Sequence, residues 1–318
     1  MELLDARIER ILRAAGRAPS VHNTQPWRVT VQGNHVTVRA DPSRQLRHSD
    51  PQGREMFISC GAFLFNARMA ARRESLTPVV TLLPDPDDHL LVAVIELRPG
   101  LDPDVDELEL AVSISRRMTS RSPFDDQPLD ADVLQAIQVA AHDEGAVLRL
   151  IQPSERARAQ VMSLVRRAEA LTAEDAVARG EEKAWTAVAA DRRDGIPQEL
   201  LGPWPFDDRA PVRRFLASAG NAEFEQRSTM AVLLTGGDTA RDWVAAGQAL
   251  EHLLLVATIY FVRASFATTV LENPTTRHDL RQVLSLDAPP QMLMRLGYGT
   301  TPRRTLRRSV DDSVTPGT

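Results

Sequence analysis

APSVHNTQPWRV, Ala18 to Val29, is the segment on which interpretation of the whole chain turns. Pro19 and Pro26 bracket small and polar residues, so the backbone there is stiff and presents its polar groups to a ligand or to neighbouring chain. Ser20 and Asn23 can donate or accept hydrogen bonds, and Trp27 begins the next element as a large apolar anchor. A capped helix end followed by an ordinary turn accounts for the same residues. Upstream, Leu3, Leu4, Ile8, Ile11, Leu12 and Ala15 recur at three- and four-residue steps and predict an amphipathic helix. Downstream, WRVTV and HVTVRA flank Gly33-Asn34 and predict a hairpin.

Further outward, an apolar helix is expected from about Gln52 to Arg73, then strands at VVTLL and LLVAVIEL. The Pro- and Asp-rich RPGLDPDVDELE is a connector in composition, which places a boundary near residue 103 between halves 1–103 and 104–318. The second half predicts helices at Leu108 to Ser115, Asp130 to His142 and Ser154 to about Ala178. A strand TMAVLLTG, an apolar helix from Asp242 to Val262, a helix near Arg277 to Leu284 and a strand MLMRLGYG follow. Strands interleaved with helices predict a mixed sheet covered on both faces, α+β or α/β. Each half carries one nearly all-apolar helix with a glycine four or five residues before a polar residue: Gly61 with Asn66, and Gly247 with Glu251 or His252. The halves have the look of diverged copies, although chance likeness between apolar helices explains this equally well.

The 318 residues are 43% hydrophobic and 25% charged with a net charge of −5, which suits a globular protein and gives no general attraction to nucleic acid or an anionic membrane. Any anionic ligand must then be held by a local cluster. Cys60, the one cysteine, excludes an intrachain disulfide and fits buried packing in a reducing cytoplasm. The charged amino terminus lacks a signal-peptide core, so a cytoplasmic protein is expected. Val244 to Val262 is long enough to span a bilayer, but Glu251 and His252 at its middle argue for a buried helix.

SISRRMTSRSPF, Ser113 to Phe124, sets Arg117, Thr119 and Arg121 at alternate positions, where two guanidiniums and a hydroxyl point the same way and suit a phosphate. A solvated basic turn fits the same pattern. The tail TTPRRTLRRSVDDSV adds Arg303, Arg304, Arg307 and Arg308, which can complete such an anion site.

These segments resemble the nitroreductase superfamily: APSVHNTQPW is similar to its APSxxNxQPW loop, and Arg117-Thr119-Arg121 to its RxSxR phosphate loop with Thr for Ser. With HSDPQGRE (His48 to Glu55), DGIP (Asp194 to Pro197) and RRSVDDSV, the match extends over nearly the whole chain and resembles the Acg-type nitroreductases. The resemblance implies an α+β nitroreductase-like fold binding FMN. Ordinary members are homodimers whose subunits share each flavin site. Here the proline-serine loop lies in the first half and the arginine loop opens the second, so the resemblance implies two pseudo-symmetric halves in one chain imitating a dimer, a monomer with one complete site.

Carried over, Pro19, Ser20, Val21 and Asn23 would meet the ribityl chain and flavin, and Arg117, Thr119 and Arg121 the phosphate. In the tail, Arg307 and Arg308 fit the family ending better than Arg303 and Arg304. ATTVLENP (Ala267 to Pro274) resembles the part lining the ring. The irregular stretch 181–215 is implied to be a lid, with Trp185, Trp204 and Phe206 as candidates to shield the flavin. The implied activity is NAD(P)H-dependent reduction of a small-molecule electron acceptor, a nitroaromatic or quinone, with no side chain needed as general base and no metal. Two rivals are a protein that holds flavin with little turnover and an interaction protein that has lost it.

Overall fold

The structure is a computed structural model that describes residues 5–151, 155–207, 210–226 and 228–314. Helix α1 (Ala6–Ala15) is capped by Asp5, whose carboxylate accepts from Arg7 N–H at 2.7 Å, and it buries Ile8, Ile11, Leu12 and Ala15 on one face. Leu3 and Leu4, expected to extend that face, lie outside the described residues. Strands β1 (Trp27–Gln32) and β2 (His35–Ala40) form the expected hairpin, with Gly33 supplying the left-handed turn conformation at φ 59°. Helix α2 (Arg54–Arg73), β3 (Leu76–Leu82) and β4 (Leu91–Pro99) complete a four-stranded sheet in the order β1-β2-β4-β3.

Beyond residue 103, α3 (Val105–Ser113) begins at a capping box of Asp104 and Glu107, and α4 (Ala131–Asp143) leads into β5 (Ala146–Leu150). The long helix expected from Ser154, itself outside the described residues, is two helices, α5 (Glu155–Glu174) and α6 (Ala176–Trp185). The break lies at Asp175, whose extended backbone and carboxylate cap the first amides of α6. Four short strands follow, β6 (Thr186–Val188), β7 (Ile196–Pro197), β8 (Trp204–Pro205) and β9 (Asn221–Ala222). The chain then forms β10 (Thr229–Thr235), α7 (Ala240–Ile259), β11 (Arg263–Phe266), α8 (Thr269–Glu272), α9 (Pro274–Val283) and β12 (Pro290–Gly297).

The fold is α+β, but the single mixed sheet expected from the sequence is corrected to two antiparallel four-stranded sheets. In the first, short connections make β1-β2 and β3-β4 antiparallel, and β4 lies antiparallel beside β2 although α2 and β3 separate the two in the chain. In the second, ordered β11-β12-β10-β5, α7 returns β11 to the direction of β10, and β12 inserts between them running the other way. Among the described residues, parallel pairing is confined to the short ladders β6-β7 and β8-β9 and to the single bridges Val29–Val314 and Thr119–Ala264.

Helices α2 and α7 cross between the sheets at Gly61 and Gly247. A methyl on Gly61 would stand 2.2 Å from Val244 O, and one on Gly247 2.0 Å from Ile58 O, so backbone meets backbone there. The largest apolar core takes residues from both sides of residue 103, including Trp27, Phe63 and Val92 and, beyond, Leu148, Leu253 and Met294. Among the described residues no helix is long and apolar enough to cross a membrane. Cys60 is fully buried, its thiol 3.3 Å from Pro26 O.

Candidate functional site

The loop between α1 and β1 is strained. His22, Asn23 and Gln25 all take positive φ, 47°, 58° and 51°, a region that L side chains disfavour by roughly 1–2 kcal/mol per residue. Hydrogen bonds from three directions over-determine it. Ser20 Oγ accepts from Gln25 N–H at 2.9 Å, and Asn23 Nδ2 donates to Gly195 O at 2.9 Å and Leu306 O at 3.1 Å. Gln25 Nε2 donates to Arg193 O at 2.8 Å, while its Oε1 accepts from Arg308 N–H at 2.9 Å. The loop is thereby bound to the 186–215 segment and to the C-terminal tail. Trp27, fully buried against Phe63 with ring centroids 5.1 Å apart, anchors its far end.

That loop forms one wall of a cleft enclosing about 1360 Å³, open solvent at its mouth included. Arg117, Thr119 and Arg121 all line it, with Met118 among them, and Ser120 N–H donates to Ala264 O at 2.9 Å to hold that segment beside β11. Arg117 is buried, with its Nε 3.2 Å from Glu251 Oε1 on α7 and a hydrogen bond to Arg17 O at 2.9 Å. Burial pushes Glu251 up to about 7, with Arg117 pulling the other way. Arg121 and Arg307 have no carboxylate partner among the described residues. Burial, then Arg213, lowers Arg121 to about 10; burial, then Arg117, lowers Arg307 to about 9. The Nε of Arg307 is buried with no hydrogen-bond acceptor. Guanidiniums crowded in this way, short of negative charge, call for an anion between them.

The opposite wall comes from α2, where Glu55, Ile58 and Ser59 reach the cleft. Burial, then the Glu272 carboxylate, pushes Glu55 up to about 8; its Oε1 accepts from Arg54 at 2.9 Å and its Oε2 is buried without a partner. Ile196, Pro203, Val212, Arg213 and Phe215, all between β6 and β9, also line the cleft. Phe215 meets His22 edge-on at 5.7 Å, and burial, then Arg213 and Arg121, hold that imidazole neutral, well below its ordinary pKa. Arg213 is buried among Glu272, with which it pairs, Glu182 at 3.8 Å, and Glu169, which raise it despite its burial.

Pro19, Ser20, Val21, Asn23, Arg117, Thr119, Arg121 and Arg307 therefore all line one cleft. Arg308 does not: its guanidinium is spent on Gln25 O at 3.2 Å, Trp27 O at 3.3 Å and Asp312 O. Arg303 and Arg304, disfavoured on sequence grounds, line the mouth instead. The aromatic cover is likewise corrected. Trp185 lies between Arg44 and Arg192, Trp204 bonds Phe215 O at 3.1 Å, Phe206 is 74% exposed, and none of the three lines the cleft. Within ATTVLENP, Thr268 reaches the cleft, next to Ser265 and Phe266. Arg17, His22, Glu55 and Arg213 were not singled out as site residues: His22 is an unspecified position inside the loop pattern, Glu55 only closes the HSDPQGRE passage, and Arg17 and Arg213 belong to no motif. Glu251 is buried against Arg117, and His252, part-buried, stacks on Phe65 with ring centroids 4.7 Å apart.

A model of the nitroreductase family matches residues 3–49. The Mycobacterium tuberculosis protein named "Putative NAD(P)H nitroreductase Rv3131" is 30% identical over 96% of this chain and 91% of its own. Another from the same organism, "Putative NAD(P)H nitroreductase acg", is 29% identical over 96% and 94%. A solved structure titled as a putative nitroreductase from Anabaena variabilis superposes over 95% of this chain and 90% of its own with TM-score 0.53 at 12% identity, a likeness of fold.

Proposed function

Since the chain belongs to the nitroreductase family, we propose that its cleft binds one FMN and that the protein is an NAD(P)H-dependent oxidoreductase. The observation that carries this reading is the convergence of Arg121 and Arg307, both without carboxylates, with Arg117 beside the strained Pro19-to-Asn23 loop. A phosphate monoester fits that donor set, because guanidinium forks pair with its oxygens and relieve the crowding of like charges. Thr119 adds a hydroxyl, and the loop residues Pro19, Ser20, Val21 and Asn23 supply a rigid edge for the rest of the cofactor.

Held by these residues, FMN would supply hydride-transfer chemistry between a nicotinamide donor and an electron-poor acceptor such as a nitroaromatic or quinone. The protein's part is positional and electrostatic. Ile196, Val212 and Phe215 exclude water from above, and Glu55 carries its proton at neutral pH inside the cleft, where its unpartnered Oε2 lies. We also read the two sheets, and the α2–α7 crossing at Gly61 and Gly247, as two related halves, 1–103 and 104–318, that together build a single site in a monomer.

A second reading, flavin holding with little turnover, has its own support. The covering segment is fastened at both ends: Arg44 pairs with Asp194 at 2.9 Å, Asn23 holds Gly195, and Arg213 is locked to Glu272. Anaerobic stopped-flow mixing of the FMN-loaded chain with NADH or NADPH separates the two. Rapid bleaching of the flavin band with either donor supports the oxidoreductase; persistence of the band with both refutes it and leaves the holding role.

A further inference from the structure

The cleft carries more positive charge than one phosphate monoester balances. Seven arginines line it, against the single carboxyl of Glu55. Arg117 is offset by Glu251 and Arg213 by its three glutamates. Arg121 and Arg307, deep in the cleft, match the charge of about −1.5 to −2 that a phosphate monoester bears at neutral pH. Arg17, Arg303 and Arg304 remain. Among the described residues, none has a carboxylate within ion-pair distance and none spends its guanidinium on a hydrogen bond.

Their placement is graded. Arg303 and Arg304 are exposed, Arg17 is half-buried, and all three border the same opening. Burial, then Arg304 and Arg117, weakens the hold of Arg17 on its charge, so the three arginines continue the deeper group outward. Three like charges at a cleft mouth, with guanidiniums unbonded among the described residues, focus anions there.

We propose that the mouth of the cleft is a second anion site, which takes the phosphate-bearing end of a dinucleotide electron donor while the deeper arginines hold the flavin phosphate. The inference rests on the flavin reading above. A ligand whose reactive end enters the cleft and whose phosphates lie at the rim must be long, with its charge remote from its reactive end, which describes a nicotinamide dinucleotide. The form with an additional 2′-phosphate presents more charge to Arg17, Arg303 and Arg304, so the site selects NADPH over NADH.

The test is calorimetric titration of the FMN-loaded full chain with inorganic pyrophosphate, NADP⁺ and NAD⁺, which bind without reducing the flavin. The expected result is one pyrophosphate per chain, NADP⁺ tighter than NAD⁺ by about tenfold, and affinities that fall with salt. Arg303→Gln with Arg304→Gln, both exposed and safe for folding, should weaken NADP⁺ by about tenfold or more and leave FMN affinity within about twofold. No pyrophosphate binding to the loaded chain, or loss of FMN in step with NADP⁺ in the double variant, overturns the second site. Pyrophosphate bound with equal or no affinity for the two dinucleotides overturns the donor assignment. Should the wild-type chain take up no FMN, the flavin reading fails by itself, and pyrophosphate stoichiometry on the free chain then decides: two sites support separate anion sites and one refutes them.

Discussion

Gly247→Ala probes the joint on which the cleft depends. A β-carbon at position 247 would lie 2.0 Å from Ile58 O, 2.8 Å from Ile58 C and 2.8 Å from Gly61 Cα, all backbone atoms of α2. Normal carbon contacts are about 3.5–4.0 Å, so no side-chain rotation relieves the overlap and the helices must part by more than an ångström. The interface is rigid on both sides, with Val244, Ala246 and Ala249 of α7 and Ala62 of α2 fully buried. Helix propensity favours alanine by about 1 kcal/mol, and overpacking a rigid core costs typically 1–3 kcal/mol or more. Backbone-to-backbone overlap puts the expected net loss at the upper end, about 3 kcal/mol. Gly180→Ala is the internal control: it is helical and exposed, with nothing within 4 Å of an added methyl, and should gain up to about 1 kcal/mol. Urea denaturation followed by far-UV circular dichroism measures both. Wild-type stability in Gly247→Ala would refute the close α2–α7 approach.

Arg121→Ala with Arg307→Ala, neither tied to a carboxylate, should weaken FMN binding by about 3–5 kcal/mol in fluorescence titration, and unchanged affinity would remove them from the phosphate site. Glu225→Gln strands Arg295, which is fully buried, 2.6 Å from that carboxylate and between the rings of Phe124 and Phe224; thermal melts should report a loss of about 3–5 kcal/mol. Glu55 is raised from its ordinary value to about 8, so the folded chain binds the proton more tightly than the unfolded one, and stability falls as pH rises through that interval. Above about pH 6.5 the buried neutral His22, whose shift acts oppositely, no longer contributes. Denaturation midpoints between pH 6.5 and 8.5 should therefore decline less steeply in Glu55→Gln than in wild type, and parallel slopes would contradict the buried proton.

Much of this was legible where a local rule operates. The first hairpin followed from alternating β-branched residues around Gly33-Asn34; Arg117, Thr119 and Arg121 do border one cleft, but Met118 between them borders it too, so strict two-residue alternation is not what gathers them. What failed depended on distant partners. Arg308 and Arg307 are adjacent in sequence and both donate to backbone carbonyls, the first to Gln25 and Trp27 and the second to Thr305 and Arg17, yet only Arg307 borders the cleft, a division set by how the tail crosses the proline loop. Trp204 and Phe206 have the bulk to cover a ring, but the β8-β9 ladder leaves both substantially exposed, and Phe215, from further along the segment, takes the inner position. The expected mixed sheet went astray because strand order is non-local: nothing near MLMRLGYG announces that β12 inserts between β10 and β11.

Flavin stoichiometry tests the central claim most directly. The purified chain, incubated with excess FMN and freed of unbound ligand by gel filtration, should retain a yellow spectrum corresponding to one FMN per chain. A colourless protein would contradict flavin binding, and two FMN per chain would contradict two halves that build a single site.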